Sequence, residues 1–334
     1  MQKKAVVLLS GGLDSTLALR ILQEQGIELE AINFRTAFAC CKDDALETAR
    51  QFGVKVTMLS VADDYFKLIE KPKYGWGKGI NPCVDCRIYM FRLAKKFMEV
   101  SNASFVASGE VLGQRPMSQQ MRQLRIIEEE SGLKDILLRP LSAKFLDPTL
   151  PERMGIVDRE KLYGISGRSR KELLELAKQY GIENPPTPST GCLLTEPDFA
   201  KKVRDLFDHT QDYDRWHFET LKVGRHFRLS DETKAVIGRN EEENRRLELL
   251  NQRDSILLIP ANFKGPSALL IGPTDRETER RVCGIIFHYS KQGKTLHEGA
   301  PFRPIFERRQ NGVKGDLSFE EALVSEEEFV SLKI

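Results

Sequence analysis

Ser10-Gly11-Gly12-Leu13-Asp14-Ser15 stands between an apolar run, Ala5-Val6-Val7-Leu8-Leu9, and a second run, Thr16-Leu17-Ala18-Leu19-Arg20-Ile21-Leu22. The first run reads as a buried parallel strand, and the second as the helix that follows it. A strand, a glycine turn and a helix N-terminus build an anion pocket. The glycines let backbone N–H groups approach a phosphate, and the helix end adds partial positive charge. The stretch lacks the third glycine of a dinucleotide fingerprint and the Gly-Lys-Ser/Thr of a Walker loop. A serine cap on an ordinary helix accounts for Ser10 or Asp14 alone and leaves the other residues unexplained.

Working outward, strand and helix patterns alternate. Glu28 to Phe34 reads as a strand, Asp43 to Phe52 as a helix and Lys55 to Val61 as a strand. Tyr89 to Val100 reads as a helix, Ser104 to Ser108 as a buried strand, and Lys134 to Arg139 as a short strand before Pro140. This alternation predicts an α/β fold with a doubly wound parallel sheet, whose ligands bind beyond the carboxyl ends of the strands. Ser169-Arg170-Lys171-Glu172 has capping-box spacing ahead of Leu173, Leu174, Leu176 and Ala177. The helix-breaking connector Asn184 to Ser189 then delivers Gly191-Cys192 to a loop.

Beyond about residue 205 the pattern changes. His226 to Leu229 and Lys234 to Ile237 read as two strands around a turn, and Glu241 to Leu250 as a charged helix. Ser255 to Pro260 and Ser267 to Ile271 read as further strands, and the acidic segment from Leu317 as a terminal helix. We expect two domains, 1–202 and a smaller α+β domain at 203–334.

Composition narrows the class. The 334 residues are 40% hydrophobic and 30% charged, with apolar runs no longer than a strand, so no membrane span or membrane partner is expected. Met1-Gln2-Lys3-Lys4 leads straight into the first strand, which predicts no signal peptide and a cytoplasmic protein. The net charge is +2, divided as +4 over residues 1–202 and −2 over 203–334. Contact with nucleic acid must therefore come from local patches. One such patch is Arg153, Arg159, Lys161, Arg168, Arg170 and Lys171, extended by Arg115, Arg122 and Arg125.

Six cysteines in a reducing compartment point away from structural disulfides. Asn81-Pro82-Cys83-Val84-Asp85-Cys86 opens a helix, and Cys192 arrives from the proline-rich loop. Three thiolates leave one iron of a [4Fe-4S] cluster open to an outside ligand such as sulfide. A helix N-terminus would lower the pKa of a thiol placed there. Persulfide chemistry at Cys86 and Cys192 is a second reading, and zinc, which lacks a fourth ligand here, a third. Cys283 sits in an apolar run and reads as core. Cys40 and Cys41 read as spectators rather than a sulfur relay, and the five histidines show no metal spacing. Trp76 and Trp216 read as packing residues, with base stacking as the alternative.

Ser10–Ser15, the Asn-Pro-Cys-x-x-Cys segment and the later Gly-Cys together resemble the tRNA thiolation enzymes of the ATP pyrophosphatase (PP-loop) superfamily. These are the 2-thiouridine and 4-thiouridine synthetases, especially their three-cysteine, iron–sulfur branch. Ala107-Ser108-Gly109-Glu110, Gly113-Gln114 and Ser118-Gln119 are similar to a segment near the nucleotide in 4-thiouridine synthetases, and Arg139-Pro140-Leu141 to a turn after their last strand. Arg115-Pro116-Met117 departs from the small residues usual there, and neither a THUMP-like domain nor a rhodanese tail is visible.

The resemblance implies ATP, Mg²⁺ and a sulfur donor. Ser10, Gly11, Gly12, Leu13, Asp14, Ser15, Phe34, Gly109 and Gln114 would bind the nucleotide, with Asp14 beside Mg²⁺. Asp14, Cys86 and Cys192 would be catalytic, and Cys83, Cys86 and Cys192 the metal ligands. The implied partners are tRNA and either sulfide or a persulfide-carrying donor, with homodimer formation left open. An amide-forming PP-loop ligase is the alternative function, since it needs the phosphate loop but none of the three cysteines. A non-enzymatic RNA-binding or iron–sulfur sensor is the third. Finally, Lys222 to Arg228 and Ile237 to Asn244 resemble the RNA-binding module of NFACT proteins, and Arg225, His226, Arg228 and Arg239 would form its basic face.

Overall fold

The computed structural model describes residues 2–38, 44–182, 191–252, 254–295, 302–318 and 326–334. The chain forms two compact units, Met1–Glu196 and Pro197–Ile334. The expected division at 202/203 would fall inside a helix, Pro197–His209, which begins at its proline and stays with the second unit.

The first unit runs β1 (Lys4–Leu8), α1 (Leu13–Gln23), β2 (Glu28–Arg35), α2 (Ala45–Gln51), β3 (Lys55–Ser60), α3 (Asp64–Glu70) and α4 (Cys83–Val100). It continues with β4 (Phe105–Ser108), α5 (Met121–Ser131), β5 (Leu137–Leu138), α6 (Leu150–Arg153) and α7 (Lys171–Gln179). All five strands are parallel, in the order β3-β2-β1-β4-β5. The chain leaves β1 toward β2 on one side and resumes at β4 on the other. The carboxyl ends of β1 and β4 therefore flank the switch point, where such sheets bind ligands.

Burial of both sheet faces explains the near-continuous apolar character of β1. One face is covered by Leu13, Leu17 and Ile21 of α1 with Leu173, Leu176 and Ala177 of α7. The other is covered by Val84, Ile88, Phe91, Ala94 and Met98, an apolar stripe along α4 at helical spacing. α4 starts at Cys83, six residues earlier than the apolar pattern suggests, so the cysteines occupy its first turn. At α7 the capping box does not form: Arg170 is the cap residue, and Ser169 Oγ accepts only from Lys171 N (3.3 Å).

The second unit runs α8 (Pro197–His209), α9 (Arg215–Leu221), β6 (Arg225–Arg228), β7 (Lys234–Ile237), α10 (Glu241–Leu250), β8 (Ile256–Pro260) and β9 (Ala268–Ile271). α11 (Arg276–His288), α12 (Lys291–Thr295), β10 (Ile305–Gln310), β11 (Val313–Ser318) and α13 (Glu326–Leu332) complete it. Its sheet is antiparallel, in the order β11-β10-β8-β9-β7-β6. Period-two alternation assigns its faces. Ala235 and Ile237 pack with Val282, Cys283 and Ile286 of α11. Val236, between them, packs with Leu247 of α10. Cys283 is thus core, as expected. Leu317 lies in β11 rather than in a helix, and the described part of the terminal helix is Glu326–Leu332. No helix among the described residues is long and apolar enough to cross a membrane.

Candidate active site

Six consecutive residues shape the loop after β1 through their own backbone. Ser15 Oγ donates to Gly12 O (2.9 Å) and accepts from Ser10 N (3.2 Å), while Thr16 Oγ1 also donates to Gly12 O (3.1 Å). Gly11 has φ +78°, and a Cβ there would meet Ala45 N at 2.6 Å. The loop thus passes directly against the start of α2, and only glycine fits. From β4, Gly109 closes the other side: its Cβ would lie 2.4 Å from Asp14 C and 2.5 Å from Ser15 N. Buried Asn33 at the end of β2, a residue not singled out from sequence, donates to Leu9 O (2.9 Å) and braces the end of β1. The first amides of α1 have no intrahelical acceptor, which suits them to an anion.

Gln114 hydrogen-bonds the Asp14 carboxylate, and Arg170 and Arg115 attract it. Burial is the larger effect and lifts the Asp14 carboxyl above the ordinary aspartate range. A partly desolvated acid among cations, beside an amide-lined loop, suits a bound metal–phosphate group. Arg115 feels Asp14, Cys83 and Glu110 together, and repulsion from Arg87 is the main cause of its lowered pKa. The departure from the family pattern at Arg115 therefore sets a guanidinium between the phosphate loop and the cysteines.

Behind this loop, buried Glu110 accepts from buried Arg139 Nε (2.9 Å) and faces Arg87 Nε at 3.6 Å. Arg139 also pairs with Glu128. Ser142 Oγ, just past Arg139-Pro140-Leu141, accepts from Leu112 N (2.9 Å) and donates to Ile165 O (2.7 Å). These two motifs are one buried brace behind the site.

Cys86 contacts Tyr65 of α3, and Cys83 and Cys192 lie within electrostatic reach of the same hydroxyl. The Tyr65 hydroxyl lies 3.0 Å from Cys86 Sγ. Burial, then Cys86, then Cys192 and Cys83 push the Tyr65 hydroxyl well above its usual pKa. The Cys192 loop is pinned on two sides: Leu193 N donates to Phe38 O (3.1 Å), and Ile80 N donates to Leu194 O (2.9 Å). A Cβ at Gly79 would lie 2.3 Å from Leu194 O, so this approach also requires glycine.

The Cys86 thiol, placed in the first turn of α4, is raised rather than lowered. Burial raises it, outweighing the Tyr65 hydrogen bond and the attraction of Arg87. Among the described residues, no group of three or more His, Cys, Asp and Glu side chains is close enough to hold a metal ion.

Phe34 is half-buried and packs against the α4-side core. Cys40, Cys41 and the connector Asn184 to Ser189 lie outside the described residues.

In the second unit the expected basic face is largely committed elsewhere. His226 is buried, and burial holds it well below its usual pKa, so it is neutral; its Nε2 donates to Val223 O (2.9 Å). Arg228 forms a fork with Asp205 (2.9 and 2.6 Å), Arg239 pairs with Glu243, and Arg225 stacks 4.4 Å above the Tyr289 ring. Trp216 is a packing residue whose Nε1 donates to Leu250 O (3.0 Å).

Residues 1–144 match a family model described as thiamine biosynthesis protein (ThiI), and residues 224–298 match one described as NFACT protein RNA binding domain. The tRNA-specific 2-thiouridylase MnmA of Caldicellulosiruptor saccharolyticus is 25% identical over 226 residues, covering 61% of this chain and 59% of the relative. The same-named protein of Mesoplasma florum is 24% identical, covering 63% and 60%. The chain thus spans about three-fifths of the length of these curated relatives. A solved 4-thiouridine synthetase–RNA complex with bound ATP is 24% identical with a TM-score of 0.37, covering 60% of this chain and 49% of that one. The first part of the chain is thus similar to enzymes that thiolate tRNA, and residues 224–298 are similar to the RNA binding domain of NFACT proteins.

Proposed function

We propose that the chain is an ATP-dependent tRNA sulfurtransferase that replaces a nucleobase carbonyl oxygen with sulfur. One observation carries this reading. Cys86 contacts Tyr65, and Cys83 and Cys192, the latter 106 residues beyond Cys86, both act on that same buried hydroxyl in the unit that holds the phosphate loop. An amide-forming ligase needs the loop but has no use for such a trio.

The chemistry follows from what each group can do. Backbone amides of Ser10–Ser15 bind the terminal phosphates. The desolvated Asp14 carboxylate, steered by Gln114, would hold Mg²⁺, which when bound neutralises phosphate charge. A uridine carbonyl oxygen attacks the α-phosphorus, the bond to the bridging oxygen breaks, and pyrophosphate leaves. Arg115 and Arg170 offset charge developing on the phosphates. Adenylation makes that oxygen a leaving group.

A terminal persulfide sulfur on Cys86 or Cys192 then attacks the activated carbon, expelling AMP and leaving a Cys–S–S–base linkage. The second thiol attacks the cysteine sulfur, freeing the thiocarbonyl and forming a Cys86–Cys192 disulfide, which an external thiol reduces. Cys83, Cys86 and Cys192 are also the residues that would hold a [4Fe-4S] cluster, which when bound would supply an open iron for sulfide, but they do not form a metal-binding group in this structure, so the persulfide route is the one the geometry favours.

The test is nucleoside mass spectrometry of tRNA incubated with ATP, Mg²⁺ and a sulfide or persulfide source, alongside pyrophosphate release. One thiolated base per pyrophosphate, lost in Cys192→Ala, is expected. Pyrophosphate release that ignores Cys192→Ala, with no sulfur in the RNA, overturns the reading in favour of the ligase. Iron and sulfide analysis after anaerobic purification separates the two sulfur routes: about four of each per chain supports the cluster, and iron-free active protein supports the persulfide.

A further inference from the structure

The segment leading to Cys83, Glu70-Lys71-Pro72-Lys73-Tyr74-Gly75-Trp76-Gly77-Lys78-Gly79, carries an aromatic residue that the core does not take. Trp76 is 48% exposed. Its Nε1 nevertheless donates to Ile69 O (2.8 Å), at the end of α3, the helix that bears Tyr65. An exposed indole tethered by its only donor keeps one orientation without burying its faces. Trp216, tethered to a carbonyl in the same way, packs against the core.

The surroundings tie Trp76 to the active site. The next residue, Gly77, accepts the Met117 side chain so closely that a Cβ would lie 2.9 Å from Met117 Cγ. Met117 belongs to the turn whose Gln114 holds Asp14. Gly77 N donates to Asn81 O (2.8 Å), and Gly79 abuts Leu194 of the Cys192 loop. Trp76 therefore stands where the phosphate-loop turn, the Cys83 segment and the Cys192 loop come together. Lys71 and Lys78 are exposed on the same segment. An exposed ring among flexible cations is how proteins hold unstacked bases: the ring takes a base face and the cations take phosphates.

We propose that Trp76 is the stacking platform for the acceptor base, and that Lys71 and Lys78 track the backbone of a single-stranded RNA segment toward the cysteines. This rests on the sulfurtransferase reading for the base's fate but not for its binding. The site takes an unpaired nucleotide, so a loop or a flipped base is the substrate form, and duplex RNA is excluded.

Wild type, Trp76→Ala and Trp76→Tyr are titrated with unmodified tRNA and with a short uridine oligonucleotide, reading tryptophan fluorescence, ATP affinity and thiolation KM. We expect RNA to quench wild-type fluorescence and Trp76→Ala to lose that quenching. Trp76→Ala should also raise the RNA KM by about tenfold, with ATP affinity unchanged, and Trp76→Tyr should recover most of the loss. Lys78→Ala should weaken RNA binding uniformly across sequences and reduce its salt dependence by about one charge. Trp76→Ala with wild-type KM and wild-type quenching overturns the proposal. Quenching through Trp76 in a protein that makes no thiouridine sinks the sulfurtransferase reading instead and leaves the platform supported.

Discussion

The phosphate loop and the cysteine centre share one unit but are built in opposite ways. The loop takes its phosphate-facing residues from one stretch, and its shape is largely a property of close backbone packing: a left-handed Gly11 and, after β4, Gly109 pressed on Asp14, with two hydroxyls on Gly12 O. The cysteine centre draws on α3, the first turn of α4 and the loop before Pro197, and its organiser is a side chain, Tyr65. A backbone device leaves almost no freedom at its glycines. A side-chain device can lose a member and still fold. The two should therefore separate under substitution.

The largest expected effect falls on the cysteine centre. Cys86→Ser or Cys192→Ser should lower sulfur incorporation by about 10³-fold or more, with ATP affinity within about twofold of wild type. Equilibrium nucleotide binding beside nucleoside analysis of the product RNA checks this. Loss of ATP binding in either variant would show that the two regions are not separable. Gly109→Ala is the converse. Its Cβ would meet backbone at 2.4 Å, which cannot swing aside as a flexible side chain would. Displacing the Asp14 turn by even about 1 Å should reduce turnover by roughly a hundredfold and weaken ATP binding as well.

Next comes the brace behind the loop. Glu110 and Arg139 are 3% and 0% exposed in their side chains. Glu110→Ala would strand the guanidinium with only Glu128 as a charged partner, and should cost about 3–5 kcal/mol in the unfolding of the first unit. Glu110→Ala with Arg139→Met should recover much of that loss, because the isolated charge goes with its partner. Denaturant midpoints of the two variants decide it. A double variant no better than the single one would place the cost in packing.

The same contrast explains what was legible in the sequence. Ser10–Ser15 sits between an apolar strand and a helix, so one stretch carries both the fold class and the nucleotide site. The parallel sheet followed because its strands are buried on both faces and read as apolar runs. Cys83, Cys86 and Cys192 stood out in the sequence by residue type and spacing. Tyr65 did not, because a buried tyrosine in a short amphipathic helix has the pattern of any core aromatic. The raised Cys86 thiol was missed for a related reason: helix position is visible in sequence, but burial, the largest effect on that thiol, is not. Arg225, His226, Arg228 and Arg239 read as a basic face, yet Asp205, Glu243 and Tyr289, which occupy three of them, come from other segments or the next helix turn.

The smallest expected effect carries the contrast into the second unit, where side chains hold what backbone holds at the phosphate loop. Lys202 Nζ donates to Leu221 O (3.3 Å) and Gly224 O (3.2 Å), and Lys234 Nζ lies 3.5 Å from Asp205. Burial lowers both ammonium groups to about 8. A lysine in the unfolded chain titrates near about 10.4. Between roughly pH 8 and pH 10.4 the unfolded chain thus binds more protons than the folded one, so these two groups make stability rise with pH across that window. Below about pH 8 both states are charged, and the burial cost stands in full. Lys234→Met removes one group and leaves Asp205 its fork with Arg228. The rise from pH 8 to pH 10, taken as the difference in unfolding midpoint from wild type in the full chain, should shrink by about half. ATP affinity, set by backbone amides in the other unit, should not follow it. An unchanged slope in Lys234→Met would mean that the lysine is solvated in the folded protein, and that Arg228 alone balances Asp205.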